Sequence, residues 1–226
     1  MNNAVQIDFV SDVACPWCAI GLAALDQALQ SVGSDLQVSL RFQPFELNPD
    51  MAPEGADAAD YLKRKYGLSP EQLLQNQQNL HARGAELGFQ FGTRSRVWNT
   101  FDAHRLLHWA GLVDSEAEAL AATDHQHRLK HALLQAYHGD GRNPSDPLVL
   151  MEVAAEAGLD PEAAREVLAS DAYADEVRQA EADWQQAGIR AVPSVVINGR
   201  HLIQGGQPPE VFEQALRQIA AKALED

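Results

Sequence analysis

The two ends of the chain alternate between hydrophobic and polar residues with the period of two that is typical of β-strands. Residues 5–9 and 36–42 both show this alternation, which places the apolar side chains of each segment on one face. Between them, leucines in residues 16–29 recur at the spacing of one helix face, and Gly33 stands where a helix-ending glycine is expected. The N-terminal part therefore predicts a β-α-β unit.

Strand-like sequence returns only in residues 192–197, near the C-terminus. The Asn198-Gly199 pair that follows is typical of a tight hairpin turn, and residues 201–204 supply the second strand. Residues 208–219 then carry the apolar positions of an amphipathic helix. The C-terminal part therefore predicts a β-hairpin followed by a helix.

The segment between these ends is dominated by signals for helix starts. Ser69-Pro70 and Asp146-Pro147 each combine a capping side chain with a proline at the first helical position. Asn99-Thr100 is expected to open a shorter helix, and Ser115 with Glu118 forms a capping-box pattern that predicts another start. These and similar signals predict about six helices.

This order of elements predicts an α/β fold with two parts. Residues 1–47 and 189–226 are expected to form one discontinuous domain, built from a small mixed sheet flanked by helices. Residues 48–188 are expected to form a helical insertion subdomain.

The overall charge excludes some classes of partner. The chain has 226 residues, a formal net charge of −15 and a pI of about 4.8, so nucleic acid and anionic membranes would repel it. No apolar stretch approaches the roughly 20 residues that span a bilayer, and the N-terminus lacks the basic region of a secretory signal. We expect a cytoplasmic protein with no membrane or nucleic-acid partner. The sequence does not indicate the oligomeric state.

The chemistry indicated by the sequence lies in its two cysteines, Cys15 and Cys18. They stand at the predicted strand-to-helix junction, where residues three apart face the same way and Pro16 fits the first helical position. A helix N-terminus stabilises a thiolate, so Cys15 is the expected nucleophile and Cys18 the resolving thiol. The alternatives are a structural zinc half-site, which lacks a second cysteine pair, and two inert core cysteines.

The combination of motifs resembles the DsbA-like thioredoxin superfamily, FrnE type. The residues that carry the resemblance are Ser11-Asp12-Val13-Ala14-Cys15-Pro16-Trp17-Cys18, Pro44-Phe45-Glu46-Leu47-Asn48-Pro49, Asn99-Thr100 with Ala103-His104-Arg105, and Gly188-Ile189-Arg190-Ala191-Val192-Pro193. The resemblance covers nearly the whole chain. It implies a thioredoxin-like fold with a large all-helical insertion, and an enzyme that exchanges thiols and disulfides.

The resemblance also implies that the peptide bond between Val192 and Pro193 is cis and that this loop faces the cysteine pair. Such a loop leaves the Val192 backbone free to pair with an extended substrate. Many FrnE-type proteins carry an aromatic residue after this proline, whereas this chain has Ser194. We therefore expect Val192 and Ser194 to contact substrate, with an altered wall at Ser194. A trans proline in an edge strand is the alternative.

Three further residues have two interpretations each. Asp12 is a candidate proton relay for the cysteines, or an acceptor that caps its own loop. His104 is a candidate substrate contact on an insertion that covers the site, or a hydrogen-bonded helix histidine. Trp17 is expected to remain exposed beside the sulfurs and hold hydrophobic substrate, with burial as the alternative.

A histidine cluster in the insertion suggests a metal site at first sight. His127 and His131 share one helix face, and His125 is close by. Because no carboxylate or cysteine stands in a recognisable second-ligand pattern, a solvated histidine cluster is favoured and no metal site is predicted.

The leading functional hypothesis is reversible dithiol–disulfide exchange between the Cys15–Cys18 pair and protein or small-molecule disulfides and thiols. No tightly bound cofactor is expected, and glutathione is a candidate redox partner. Trp17 replaces the histidine of the strongly oxidising DsbA, which predicts a less oxidising potential. The alternatives are a glutathione-dependent isomerase or transferase of the 2-hydroxychromene-2-carboxylate isomerase or kappa-class type, and a chaperone-like binding module.

Overall fold

The computed structural model describes residues 4–117 and 124–222. In these residues a four-stranded sheet has the order β2-β1-β5-β6, and a two-stranded sheet pairs β3 with β4. The elements follow one another along the chain as β1 (Ala4–Ser11), α1 (Pro16–Val32), β2 (Gln37–Pro44), β3 (Ala56–Asp57), α2 (Ala58–Tyr66), α3 (Pro70–Glu86), β4 (Arg96–Val97), α4 (Phe101–Ala117), α5 (His125–Leu134), α6 (Pro147–Glu156), α7 (Pro161–Leu168), α8 (Ala174–Gln186), β5 (Ser194–Ile197), β6 (His201–Gln204) and α9 (Pro209–Lys222).

The four-stranded sheet joins the two ends of the chain. Strand β1 is parallel to β2, with Ile7 opposite Leu40, and antiparallel to β5, with Phe9 opposite Val195. Strand β6 completes the hairpin with β5. The predicted β-α-β unit and the C-terminal hairpin with its helix are confirmed, and the fold is α/β and thioredoxin-like.

Both faces of the central strand β1 are buried, for different reasons. Ile7 and Phe9 have no exposed surface and belong to the core formed with α1 and α9. On the opposite face Val10 packs in a smaller cluster with Phe45 and Ile189. Burial on both faces makes β1 the rigid element from which the cysteine loop extends.

The helices between β2 and β5 form a second core. Leu106 from α4, Leu129 from α5 and Leu150 from α6 are fully buried in it. Val13 and Ala14, which precede the cysteines, belong to this second core rather than to the core of the sheet. The loop before Cys15 is therefore packed against the insertion.

Three predictions about the helices differ from the structure. Residues 48–188 contain seven α-helices within the part of the chain that the structure describes, rather than about six, and the helix after Asn99-Thr100 is a long one, Phe101–Ala117. Ser115 lies inside this helix and donates to the Gly111 carbonyl, so it does not begin a new one. A serine can bond the carbonyl four residues earlier as readily as it caps. Glu118 lies outside the described residues.

The described residues contain no helix that combines the length and the apolar composition needed to cross a lipid bilayer.

Candidate active site

The two cysteines lie where β1 leads into α1. Cys15 is the N-cap residue of α1, Pro16 follows at the first helical position, and the Cys18 N–H donates to the Cys15 carbonyl at 3.0 Å. Both are free thiols. Cys15 is 5% exposed, Cys18 is fully buried, and Trp17 beside them is 45% exposed. The predicted position of both cysteines at the strand-to-helix junction and the exposure of Trp17 are confirmed, whereas the roles assigned to these residues stay predictions.

The loop before β5 lies against Cys15. The peptide bond between Val192 and Pro193 is cis, and the Cys15 thiol donates to the Val192 carbonyl at 3.5 Å. Pro193 packs on Gly21 of α1, where a Cβ atom would come within 2.9 Å of the proline Cγ. Glycine at position 21 thus permits the loop to approach the helix that carries both cysteines.

The two thiols have opposite shifts in acidity. A hydrogen bond from Cys18 lowers the pKa of the Cys15 thiol, and this effect exceeds the increase caused by burial. Burial, followed by the hydrogen bond and charge of Cys15, raises the pKa of Cys18 well above its ordinary value. Cys15 is therefore the thiol that ionises first, and Cys18 supplies the proton that stabilises it.

Asp12 is fully buried beneath the loop that leads to Cys15. Its carboxylate accepts hydrogen bonds from the Ala14 N–H at 3.0 Å, the Leu47 N–H at 2.7 Å and the Thr100 hydroxyl at 2.7 Å. Burial would raise the pKa of Asp12, but the close contact and charge of His104, together with hydrogen bonds from the Leu47 and Ala14 N–H groups, lower it below its ordinary value. These contacts favour the loop-acceptor interpretation, because a carboxylate with a low pKa is a weak base.

The cysteine turn, the cis-proline loop and the surrounding helices correspond to one family of proteins. The family model for the DSBA-like thioredoxin domain matches residues 6–217. The chain belongs to this family. It is 38% identical to the probable DsbA oxidoreductase SCO1869 of Streptomyces coelicolor, with a TM-score of 0.84 over 95% of this chain and 89% of that one. It is 28% identical to the uncharacterized protein YwbO of Bacillus subtilis (strain 168), over 94% of this chain and 96% of the relative.

Two more distant structures share the fold. A 2-hydroxychromene-2-carboxylate isomerase is 17% identical with a TM-score of 0.67, over 97% of this chain and 98% of that one. The cytosolic disulfide reductase DsbM of Pseudomonas aeruginosa, solved with GSH, is 21% identical with a TM-score of 0.58, over 94% of this chain and 98% of that one. At these identities the likeness establishes the architecture that this DSBA-like domain shares with them.

Two predicted substrate contacts of this DSBA-like domain are buried instead. Ser194 has no exposed surface, and its hydroxyl donates to the Ala191 carbonyl at 2.8 Å, so it braces the proline loop from within. His104 is 2% exposed, and its Nε2 atom lies 3.4 Å from an Asp12 oxygen. The expectation that these two side chains contact substrate is therefore corrected: one supports the loop of Pro193 and the other supports Asp12. Val192 remains half-buried at the edge of the site.

Side chains of the insertion hold three consecutive residues of the cysteine loop in the DSBA-like domain, namely residues 12–14. Thr100 and His104 contact Asp12, His138 donates from Nε2 to the Val13 carbonyl at 2.8 Å, and Arg94 donates to the Ala14 carbonyl at 3.1 Å. Burial is the main reason that the pKa of His138 falls to about 3, so its imidazole is neutral and donates a hydrogen bond to that carbonyl. Sequence reasoning missed Arg94 and His138, since each lies far from the cysteines along the chain.

Lys130 of α5 is another residue near the cysteines that the sequence did not indicate. Its side chain is fully buried, and its Nζ atom has no hydrogen-bond partner in the described residues. Burial lowers the pKa of Lys130, whereas the nearby groups of Cys18, Asp12 and Cys15 act to raise it. A buried amine close to Cys18 can stabilise its thiolate or accept its proton.

The structure also corrects the expectation that the histidine cluster of α5 has no carboxylate partner. His127 and His131 do have a carboxylate partner, because Asp26 of α1 lies against both imidazoles. His125 points elsewhere and pairs with Asp114. The partner was not visible in the sequence because it belongs to a helix about a hundred residues earlier in the chain.

Proposed function

We propose that the protein is a thiol–disulfide oxidoreductase of the FrnE type, with Cys15 as nucleophile and Cys18 as resolving thiol. The observation that carries the proposal is the arrangement of the pair: two free thiols on the first turn of α1, with Cys15 at the N-cap and Cys18 buried behind it. The opposite shifts of their pKa values support the same division of roles.

The exchange takes two displacement steps. The Cys15 thiolate attacks one sulfur of a substrate disulfide, forming a Cys15–substrate disulfide and releasing the other substrate sulfur as a thiolate, which takes a proton. Cys18 then gives up its proton and attacks the Cys15 sulfur, which releases the second substrate thiol. The dithiol loses two electrons to the substrate, and the reverse direction uses the same atoms.

The loop of Val192 supports a binding mode for extended substrates. The Val192 carbonyl lies next to the Cys15 thiol, and in the described residues its N–H donates to no protein acceptor. A peptide or glutathione backbone that pairs with this loop would bring its sulfur to Cys15. Trp17 offers an exposed apolar surface beside it.

The electrostatics of the site favour a modest oxidising power. Burial and the negative charge of Asp12 both act to raise the pKa of Cys15, which limits the lowering caused by its hydrogen bonds. A less stabilised thiolate lowers the potential of the pair, so we expect a value clearly below the roughly −120 mV of DsbA and nearer the glutathione poise of about −220 to −260 mV. Such a value suits a reductase or isomerase that exchanges with glutathione in the cytoplasm.

The test is insulin reduction with dithiothreitol, run on the wild type, Cys15→Ser, Cys18→Ser and the double variant. Because the chain has two cysteines, the double variant is a thiol-free control with the same fold. We expect no activity in either single variant. With a disulfide substrate, only Cys18→Ser should accumulate a mixed disulfide that is visible by mass spectrometry.

Two outcomes would support other functions. A Cys18→Ser protein as active as the wild type would show that no resolving thiol is needed, as in a glutathione-dependent isomerase or transferase. A wild type without reductase activity, together with a double variant that still suppresses aggregation of unfolded protein, would support the chaperone-like binding module instead.

A further inference from the structure

A cluster of three ligating side chains lies between α1 and α5, away from the cysteines. The Nε2 atom of His127 is 2.9 Å from one oxygen of Asp26, and the Nε2 atom of His131 is 2.7 Å from the other. The two Nε2 atoms are 3.2 Å apart. Three donor atoms from two helices therefore converge on one point.

The cluster is accessible but held in place. The side chains of His127 and His131 are 34% and 42% exposed, and that of Asp26 is 18% exposed. The His127 ring is stacked on Phe42 of β2, with centroids 5.7 Å apart and an interplanar angle of 13°. This contact fixes the direction of one imidazole, while the opening toward solvent gives an ion a path of entry.

We propose that Asp26, His127 and His131 bind a divalent transition-metal ion of the zinc type, with a fourth position open to water. Histidines four residues apart on a helix share a face, and two imidazoles with one carboxylate are a donor set that zinc accepts. Zinc ligands at about 2.0–2.1 Å from the ion lie about 3.3 Å from one another in a tetrahedron. The observed separations are 2.7 to 3.2 Å, so the three atoms need to move apart by about half an ångström.

The protonation state of the cluster is compatible with such an ion. Burial would raise the pKa of Asp26, but hydrogen bonds and charge from His127 and His131 lower it, so the carboxylate is ionised at neutral pH. Without an ion, each Nε2 atom faces its own oxygen of Asp26. With an ion bound, both imidazoles present Nε2 lone pairs to it and carry their proton on Nδ1.

A bound ion would connect the two parts of the molecule. Asp26 lies on α1, about 12 Å along the helix from Cys18, and the histidines lie on the insertion. Lys130 stands between the two histidines in the sequence of α5 and is buried near Cys18. The site is therefore separate from the redox pair but attached to the same two helices.

The test is a zinc titration in competition with a chromogenic chelator, using the protein in its disulfide form so that the cysteines cannot bind the ion. We expect one zinc ion per chain in the wild type. Asp26→Asn, His127→Gln and His131→Gln should each weaken binding by more than about tenfold. His201→Gln, which removes an exposed imidazole on β6, is the matched control and should bind like the wild type.

A measurement on the wild type alone guards against misfolded variants. Among the eight histidines of the chain, zinc should shift the imidazole NMR resonances of two and leave the others in place. Absence of saturable binding, unchanged affinity in the three variants, or shifts confined to other histidines would each overturn the proposal.

Discussion

The sheet core and the helical insertion contribute differently to the active site. The core supplies the reacting atoms, since Cys15 and Cys18 lie on α1 and the proline loop precedes β5. The insertion supplies the side chains that hold the loop before Cys15, namely Arg94, Thr100, His104 and His138. The insertion therefore forms the base of the cysteine loop and holds in position the cysteines that the core carries.

The largest expected effect tests Asp12, where the two regions meet. In Asp12→Asn one oxygen becomes an NH₂ group, so the side chain can accept from only one of the main-chain N–H groups of Ala14 and Leu47 and leaves the other unpaired. We expect the free energy of unfolding to fall by about 3 kcal/mol, as measured by urea denaturation. The loss should disappear at acid pH, because the stabilisation from a carboxylate with a lowered pKa is lost as pH falls below about 4.

Asp8 provides the matched control for this change. It is also buried, but its partners are the side-chain amides of Gln6 and Gln43, which can rotate to face an asparagine. We expect Asp8→Asn to cost clearly less than Asp12→Asn. Equal losses in the free energy of unfolding would mean that the contacts of Asp12 with the insertion add no stability beyond that of any buried, hydrogen-bonded carboxylate.

The second prediction concerns the neutral imidazole of His138. Its pKa is about 3 in the folded protein and about 6.5 in the unfolded chain, so the unfolded state takes up a proton first as pH falls. This contribution to stability is complete above pH 6.5 and declines toward pH 3, by about 2 kcal/mol between pH 7 and pH 5. In His138→Gln, whose amide can still donate to Val13, urea denaturation should show that this part of the pH dependence is absent. His201→Gln should retain it.

The sequence could predict some parts of the molecule and not others. The period of two in β1 and the hairpin before α9 predicted the sheet, and the cysteine turn predicted the nucleophile, because local patterns determine both. His138 and Lys130 could not be predicted, since their roles depend on how the insertion folds back over the loop. The prediction that Ser194 contacts substrate is wrong. Its place next to Pro193 in the sequence does not reveal that its side chain is fully buried in the structure.

The third prediction asks whether the insertion also affects the chemistry. Lys130→Met removes the buried amine that lowers the pKa of Cys18, so the resolving thiolate forms less readily. We expect the mixed disulfide to resolve about tenfold more slowly, equivalent to about 1.4 kcal/mol, as measured by quenched-flow mass spectrometry. The free energy of unfolding should not decrease, because an unpaired buried amine is replaced by an apolar chain of similar size.

The control for Lys130→Met is Lys63→Met, which makes the same substitution at an exposed position of α2. It should resolve the mixed disulfide at the wild-type rate. If Lys130→Met also does so, the insertion acts on the cysteines only through the loop.

The smallest expected effect is that of Arg94. Arg94→Gln shortens the side chain that donates to the Ala14 carbonyl and packs over the Tyr137 ring. We expect a loss of about 1 kcal/mol in urea denaturation. Arg83→Gln breaks a surface ion pair with Glu86 and should cost less. If Arg83→Gln cost more than Arg94→Gln, the cysteine loop would be supported by Thr100, His104 and His138 without Arg94.

The sheet register also has a consequence for how the chain is made. Strand β1 needs partners on both sides, but β2 ends at Pro44 and β5 begins at Ser194, about 150 residues later. At about 5–20 residues per second, a ribosome takes about 8 to 30 s to cover that distance. During this interval the N-terminal β-α-β unit has an open edge at β1 and lacks α9. The nascent chain is therefore most vulnerable to misassociation and thiol oxidation before β5 and α9 are synthesised.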